Sequence, residues 1–322
     1  MKQISNLQSL ISSSLIIARM NSEVARPVAL APLVRGLIKS MRPRQWLKNI
    51  VVFAALIFDT KLFQAQPLLA TLIGFGVLCL LFSAVYLIND SADANADRLH
   101  PKKKFRPIAQ GDVPVPLAIS YAVTLVVVAL GIAFATHFWF GLIGLAYFVF
   151  TTFYTFKAKH IVVLDVIVIA SGFVLRVAAG TVLINAERFS PWLYVCMSLL
   201  ALLMGFGKRR QELMDLGGMA GTRAILREYN LPMLDQIISI VTGALIVSYM
   251  FYTFSAPQLP KNHSMMLTIP FVMYGLFRYL YLVHVKGEGA APDELAFKDR
   301  PLQWAFGLWA IAVIVVLYFG RG

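Results

Sequence analysis

Long apolar runs separated by short charged connections set the pattern of this chain. Nine recur, at roughly 44–60, 67–88, 116–135, 138–156, 162–184, 191–206, 234–255, 265–283 and 302–319. About 20 apolar residues in helical form cross the hydrocarbon core of a bilayer. A backbone in hydrocarbon must satisfy its hydrogen bonds within its own segment, so each run predicts a helix. The fold class is therefore all-α, a polytopic membrane bundle of nine spans; the first and sixth runs are the shortest. Prolines 67, 116, 191, 232 and 301 sit near span starts, where a missing N–H costs least. Alternate connections differ. Those near 135–138 and 184–191 are short, whereas 89–115 and 207–233 are long and charged, and each is expected to begin as a continuation of the preceding helix. Residues 1–35 read as a loose or interfacial tail, and 36–322 as one membrane domain.

Composition agrees with that pattern. The chain is 59% hydrophobic and only 14% charged, with a mean hydropathy of +0.72, which no ordinary soluble domain has. The net charge of +13 would suggest nucleic acid in a soluble protein. Its distribution points elsewhere. With the N-terminus inside, inner segments carry 23 of the 29 Lys and Arg residues, outer segments carry Lys61, Arg188, Lys261 and Arg321, and Arg176 and Arg278 lie within spans. That bias predicts an N-in, C-out topology. No nucleic acid is needed; the basic surplus suits anionic membrane lipid and anionic substrates. Cys79 and Cys196 fall inside spans, so no disulfide framework is expected.

The candidate chemistry gathers on the inner connections. Asn89, Asp90, Asp93 and Asp97 follow directly on the second run. On a helix the i, i+3, i+7 spacing of the three acids puts them on one face. Carboxylates so close repel one another unless a cation joins them, and a hard divalent ion, Mg²⁺ first, is the natural partner. Lys104 and Arg106 follow on the same connection and suit phosphate oxygens. A solvated loop with basic anchors is the alternative for this stretch. Tyr154, Lys157, Lys159, His160 and Asp165 join the fourth and fifth runs. Lys159 is a candidate phosphate ligand and Tyr154 a hydroxyl donor, while Lys157 fits plain anchoring. Asp165 enters its span about a turn deep and needs a partner: a second metal, a ribose hydroxyl or a lysine. Lys208, Arg209 and Arg210 end the sixth run; the first two are expected to face the site and Arg210 the lipid headgroups. Gln45, Lys48 and Asn49 enter the first run on one helical face, as site or anchor, and Trp46 beside them reads as an interfacial anchor. Arg176, eleven residues after Asp165, lines the base of a pocket or pairs with backbone carbonyls.

These residues resemble the UbiA superfamily of intramembrane prenyltransferases. Asn89–Asp97 matches its first aspartate-rich pattern, and Arg106-Pro107 followed by Gly111 matches the continuation. Where aromatic prenyltransferases carry a second Asp-x-x-x-Asp motif, this chain has Tyr154…Lys159-His160…Asp165. That departure is similar to the branch of polyprenyl-phosphate phosphoribosyltransferases. Arg42-Pro43-x-Gln45-Trp46-x-Lys48-Asn49, Phe105-Arg106-Pro107-Ile108-Ala109, Gly207-Lys208-Arg209-x-x-Glu212-Leu213 and Asp299-Arg300 followed by Leu302-Gln303 also look like that branch. The resemblance implies a nine-helix bundle whose pocket opens to the cytoplasmic face of a bacterial inner membrane. It implies 5-phosphoribosyl 1-diphosphate as donor, Mg²⁺ on Asn89, Asp90, Asp93 and Asp97, and a decaprenyl-like polyprenyl phosphate as acceptor, for lipid-linked pentose and cell-envelope glycan synthesis. It is compatible with a homo-oligomer. The rival within the superfamily moves a polyprenyl chain from its diphosphate to an aromatic acceptor. A transporter is the rival outside it, disfavoured because the acids sit at one surface and not at the midplane.

Overall fold

Hydrocarbon-length apolar text with no water to satisfy its backbone leaves helix as the local solution, and the computed structural model is helical throughout its named elements. It describes residues 30–101, 103–186, 190–215, 224–289, 295 and 298–320. The tail before residue 30, Arg188 and the charged pair Asp293 and Glu294 lie outside the described residues. The helices are α1 (Leu30–Ser40), α2 (Phe53–Phe58), α3 (Ala65–Ala92), α4 (Ala94–Leu99), α5 (Pro107–Gln110), α6 (Val115–Thr136), α7 (Phe138–Phe156), α8 (Leu164–Leu183), α9 (Pro191–Asp215), α10 (Leu231–Ser255), α11 (Ile269–Tyr281) and α12 (Arg300–Phe319). By length and composition eight helical stretches among the described residues suffice to cross a membrane: α3, α6 to α10, α12, and α11 with its flanking turns, Ser264–Lys286.

The expected first span differs. Residues Pro43–Val52 form a 3₁₀ helix that passes into the six-residue α2. The 3₁₀ winding eclipses residues three apart, so Lys48 Nζ lies 3.4 Å from Gln45 Oε1. Trp46 is not an interfacial anchor: its indole N–H donates to Ser83 Oγ on α3 at 3.1 Å, and the ring packs between two core clusters. Residues 30–35 belong to α1, whose Leu33 and Leu37 pack against the cluster around Ala84, Leu87 and Ile108.

Consecutive long helices pack as antiparallel neighbours, with α3 against α6, α7 against α8, α8 against α9, and α9 against α10. Two long helices overrun the apolar text. α3 continues through Asp90 to Ala92, and α9 through Lys208, Arg209 and Arg210 to Asp215. The overrun is what brings the charged residues into rigid helical register. Close approach is built in at Gly180 of α8: a Cβ there would stand 2.2 Å from the backbone oxygen of Val52. Gly180→Ala must push α8 off the 3₁₀ segment. Overpacking of this kind costs ~1–3 kcal/mol, so the detergent-solubilised variant is expected to melt several degrees below the wild type. An unchanged melting temperature would contradict the packing.

Candidate active site

The acids sit where α3 gives out. Asp90 lies in its last turn, Asp93 ends it with φ −89° and ψ 2°, and α4 then carries Asp97. Backbone bonds from Asp93 N to Asn89 O (2.9 Å) and from Asp97 N to Asp93 O (2.8 Å) carry the helical pattern across the break. Asp90 and Asp97, seven apart, therefore stay on one side, both buried. They converge on a single atom: Arg106 Nη1 donates to Asp90 Oδ1 at 3.0 Å and to Asp97 Oδ2 at 2.5 Å. Arg42 meets Asp90 through one nitrogen, Nη2 lying 2.7 and 2.9 Å from its two oxygens, and stacks 4.1 Å from the centre of the Tyr86 ring. Lys103 Nζ stands 4.0 Å from Asp97. Asp93 departs from the shared face and accepts instead from Lys159 Nζ at 3.1 and 3.3 Å.

Two carboxylate oxygens within reach of one atom mark a point that a small hard cation fits. Asn89 adjoins it, its amide nitrogen 3.5 Å from Asp90 Oδ1. An all-oxygen set of one or two carboxylates, completed by water and phosphate, is how Mg²⁺ is usually bound. Among the described residues no three His, Cys, Asp or Glu side chains form a metal cage. A cation held here would have a carboxylate pair and would have to bring its further ligands with it, with Asp93 standing aside on Lys159.

The expected second constellation divides. Lys159 reaches the acids, and Lys157 is exposed. Asp165 is fully buried and both its oxygens are taken, by Arg209 Nε at 2.6 Å and by the Tyr229 hydroxyl at 2.8 Å. Its partner is an arginine, not a metal, a ribose or a lysine. Arg209 also pairs with Glu212 and lies 3.4 Å from the Tyr154 hydroxyl. Burial pushes the Tyr229 phenol above its ordinary range, which keeps the proton that it donates to Asp165. The same oxygen accepts from Val163 N at 2.7 Å. Val163 has φ 66°, a left-handed value that a β-branched residue seldom adopts, so Tyr229 holds a strained turn at the mouth of α8. Arg210 does not face headgroups: it is buried, bonded through Nε to Asp235 and through Nη1 to the Val283 carbonyl. Lys208 is exposed at the same helix end.

Deeper, Arg176 donates to Asn49 Oδ1 at 2.7 Å and to the Tyr147 hydroxyl at 2.9 Å, with the Tyr147 and Phe173 rings 4.9 and 5.1 Å from its guanidinium carbon. Its partners are side chains rather than backbone carbonyls. Asn49 thereby leaves the polar face it was expected to share, while Gln45 stays near the acids, accepting from the Tyr86 hydroxyl at 3.0 Å. Lys104 is exposed and lies over the Phe105 ring, away from the acids. Arg278 and Asp299 form a two-point clasp at the start of α12, with bonds of 3.1 and 2.8 Å. The hydrogen bonds from Arg278 hold the Asp299 carboxyl below its usual range. Its contribution is present at neutral pH and is lost only as pH falls through that lowered value. An apolar groove of about 480 Å³ between α11 and α12, lined by Phe271, Tyr274, Arg300, Trp304 and Leu308, shares none of the acid-cluster residues.

Arg42, Tyr86 and Tyr229 are neighbours of the acids to which sequence reasoning assigns no role of their own. Tyr86 has a signal, standing one helical turn before Asp90. Arg42 stands in a recognisable motif but nothing there names its partner, and Tyr229 has no signal; they meet their acids from 48 and 64 residues away. Placement of Lys159 and Lys157 makes a direct contrast. Lys159→Ala removes a cation from the acid cluster and is expected to cut turnover roughly 100-fold, the usual scale for losing one preorganised donor to a charged reacting group, whereas Lys157→Ala should leave it near normal. Equal effects would contradict the assignment of Lys159.

Comparison with known proteins adds an independent line. Residues 49–298 match the profile of the UbiA prenyltransferase family. The chain is 34% identical over 294 residues to the decaprenyl-phosphate phosphoribosyltransferase of Corynebacterium glutamicum, covering 89% of this chain and 88% of that one. It is 34% identical over 313 residues to the protein of the same name from Mycolicibacterium smegmatis, covering 92% and 98%. Among solved structures it resembles a UbiA homolog from Archaeoglobus fulgidus bound to GPP and Mg²⁺, with TM-score 0.68, 17% identity, and coverage of 88% of this chain and 99% of that one.

Proposed function

The chain belongs to the UbiA prenyltransferase family and is a transferase, and from that premise we propose that it moves 5-phosphoribose from 5-phosphoribosyl 1-diphosphate to a membrane polyprenyl phosphate. The bond between the anomeric carbon and the diphosphate oxygen breaks. An oxygen of the acceptor phosphate forms the new bond, and pyrophosphate leaves. The product is a lipid-linked pentose phosphate of the kind that cell-envelope glycan synthesis consumes.

One observation carries the reading: cations from separate segments, Arg42, Arg106 and Lys159, interleave with Asp90, Asp93 and Asp97. A prenyl diphosphate and an aromatic acceptor bring one highly charged group. A phosphoribosyl donor and a phosphate acceptor bring three phosphate-bearing groups, which suits cations drawn from three separate segments. Bound Mg²⁺, held by Asp90 and Asp97 with Asn89 beside them, would neutralise the departing diphosphate. Arg42, Arg106 and Lys159 take phosphate oxygens, the arginines through their forked geometry. Gln45, Lys48, Tyr154 and Lys208 stand at the same end of the bundle and would share the 5-phosphate, the ribose and the acceptor phosphate, while Arg209, shielded on Asp165 and Glu212, holds that end in shape. The acceptor phosphate is largely ionised at neutral pH, so no residue need act as general base. With the N-in orientation that the Lys and Arg bias supports, this end faces the cytoplasm of a bacterial cell, where a soluble donor meets a lipid acceptor.

The test is donor choice. Purified protein with Mg²⁺, phosphoribosyl diphosphate and polyprenyl phosphate is expected to yield organic-soluble pentose phosphate. If it ignores that pair and joins a prenyl diphosphate to a hydroxybenzoate, the proposed substrates are wrong.

A further inference from the structure

The arginines on the acid pair are held there by different means. Arg42 has φ 55° and ψ 58°, a left-handed conformation that a side-chain-bearing residue seldom enters and that clusters at functional positions when it does. Pro43 begins the 3₁₀ segment immediately after it, and Gln45 N bonds back to the Arg42 carbonyl at 2.9 Å. The turn sends the guanidinium across to α3, where Nη2 alone meets both oxygens of Asp90 and the plane stacks on Tyr86. Arg106, from the connection after α4, bridges Asp90 to Asp97. The side chains of both arginines are about a quarter exposed, at 22% and 23%, while those of both acids are 3% exposed. The carboxylates are fixed; the cations on them have room to leave.

Resting on the function proposed above, we infer that Arg42 and Arg106 are exchangeable counter-ions, which couple binding of a divalent cation to binding of the diphosphate. A divalent cation arriving alone must displace the arginines from Asp90 and Asp97 and leave two guanidinium groups beside a new positive charge. A diphosphate arriving alone competes with the carboxylates for those same arginines. When both arrive, the cation takes the carboxylates and the arginines take phosphate oxygens, for which their fork, used through a single nitrogen on the acids, is better suited. Each ligand raises the affinity of the other by the same factor. Arg42 is thus a positioning residue that sets the resistance to the cation alone.

The test uses the full chain in detergent, with Mn²⁺ as the probe cation and its free concentration read by paramagnetic resonance. Coupling of this type typically spans roughly 5–150-fold in affinity. Arg42→Gln, alone and with Arg106→Gln, is expected to tighten binding of Mn²⁺ in the absence of any phosphate by a factor in that range. The same variants weaken binding of pyrophosphate measured at saturating Mn²⁺. Arg42→Lys keeps the charge without the fork and falls between. Tyr86→Leu removes the stacking without touching any charge and shifts Mn²⁺ affinity in the same direction by less, which covers the case of an arginine variant that does not fold. If Arg42 only props up the 3₁₀ segment, its loss leaves Mn²⁺ binding unchanged or weaker, and the exchange is overturned. The two readings fail separately. Tighter Mn²⁺ binding in the variants with no lipid-linked pentose from the wild type sinks the substrate assignment alone; product without the affinity gain sinks the exchange alone.

Discussion

Asp90→Asn is expected to lower turnover by more than about 100-fold, since even outer partners of a metal ligand are usually worth 10–100-fold. The substitution removes one of the two carboxylates that converge, among the described residues, on the proposed cation position, and it removes the charge on which Arg42 and Arg106 both close. The protein should nonetheless fold. Asparagine keeps the shape and can still accept from Arg42, and solvent reaches both arginines. Normal expression and a melting temperature within a few degrees of wild type should therefore accompany the loss of turnover. Near-normal turnover would contradict the assignment of Asp90.

Asp165→Ala has the opposite signature. Asp165 and Arg209 are almost wholly shielded, at 0% and 2% exposure. Removing one partner of a buried ion pair leaves the other charge uncompensated, at about 3–5 kcal/mol. Arg209 would retain Glu212, which is partly exposed, and the Tyr154 oxygen. Tyr229 would lose its acceptor while still bound to the strained Val163 turn. The expected result is a sharp drop in folded, extractable protein and in melting temperature. The double variant Asp165→Leu with Arg209→Met should regain much of the stability lost in Asp165→Ala without regaining activity, because a buried pair can often be replaced by apolar residues of similar size. A stable but inactive Asp165→Ala would instead make this carboxylate a ligand of metal or substrate.

The contrast between these two aspartates shows what the sequence could convey. Periodicity and length revealed the long helices, because hydrocarbon leaves a backbone few alternatives. Spacing revealed that Asp90 and Asp97 share a face, and the continuation of α3 and α9 beyond their apolar text was legible in residues that permit helix. Partnership was not legible. Asp90 meets Arg42 and Asp165 meets Arg209 across 48 and 44 residues, and no local rule says which cation crosses to which acid. Residue class alone fails for the same cause at the end of α9, where the successive side chains of Lys208, Arg209 and Arg210 point about 100° apart. Packing of α9 between α8 and α10 buries Arg209 and Arg210 and leaves Lys208 outward. The first span misled for a different reason: Pro43 and the polar Gln45, Lys48 and Asn49 favour a short 3₁₀ winding against α3 and α8 over a full lipid-facing helix.

The most direct test follows the two ends of the donor. Phosphoribosyl diphosphate labelled in its 5-phosphate, and separately in its diphosphate, is supplied with polyprenyl phosphate and Mg²⁺ to the purified chain. The 5-phosphate label should pass into the lipid extract while an equal amount of diphosphate label is released to water as pyrophosphate. Diphosphate label in the lipid, or both labels left in unreacted donor, would contradict phosphoribosyl transfer at this site.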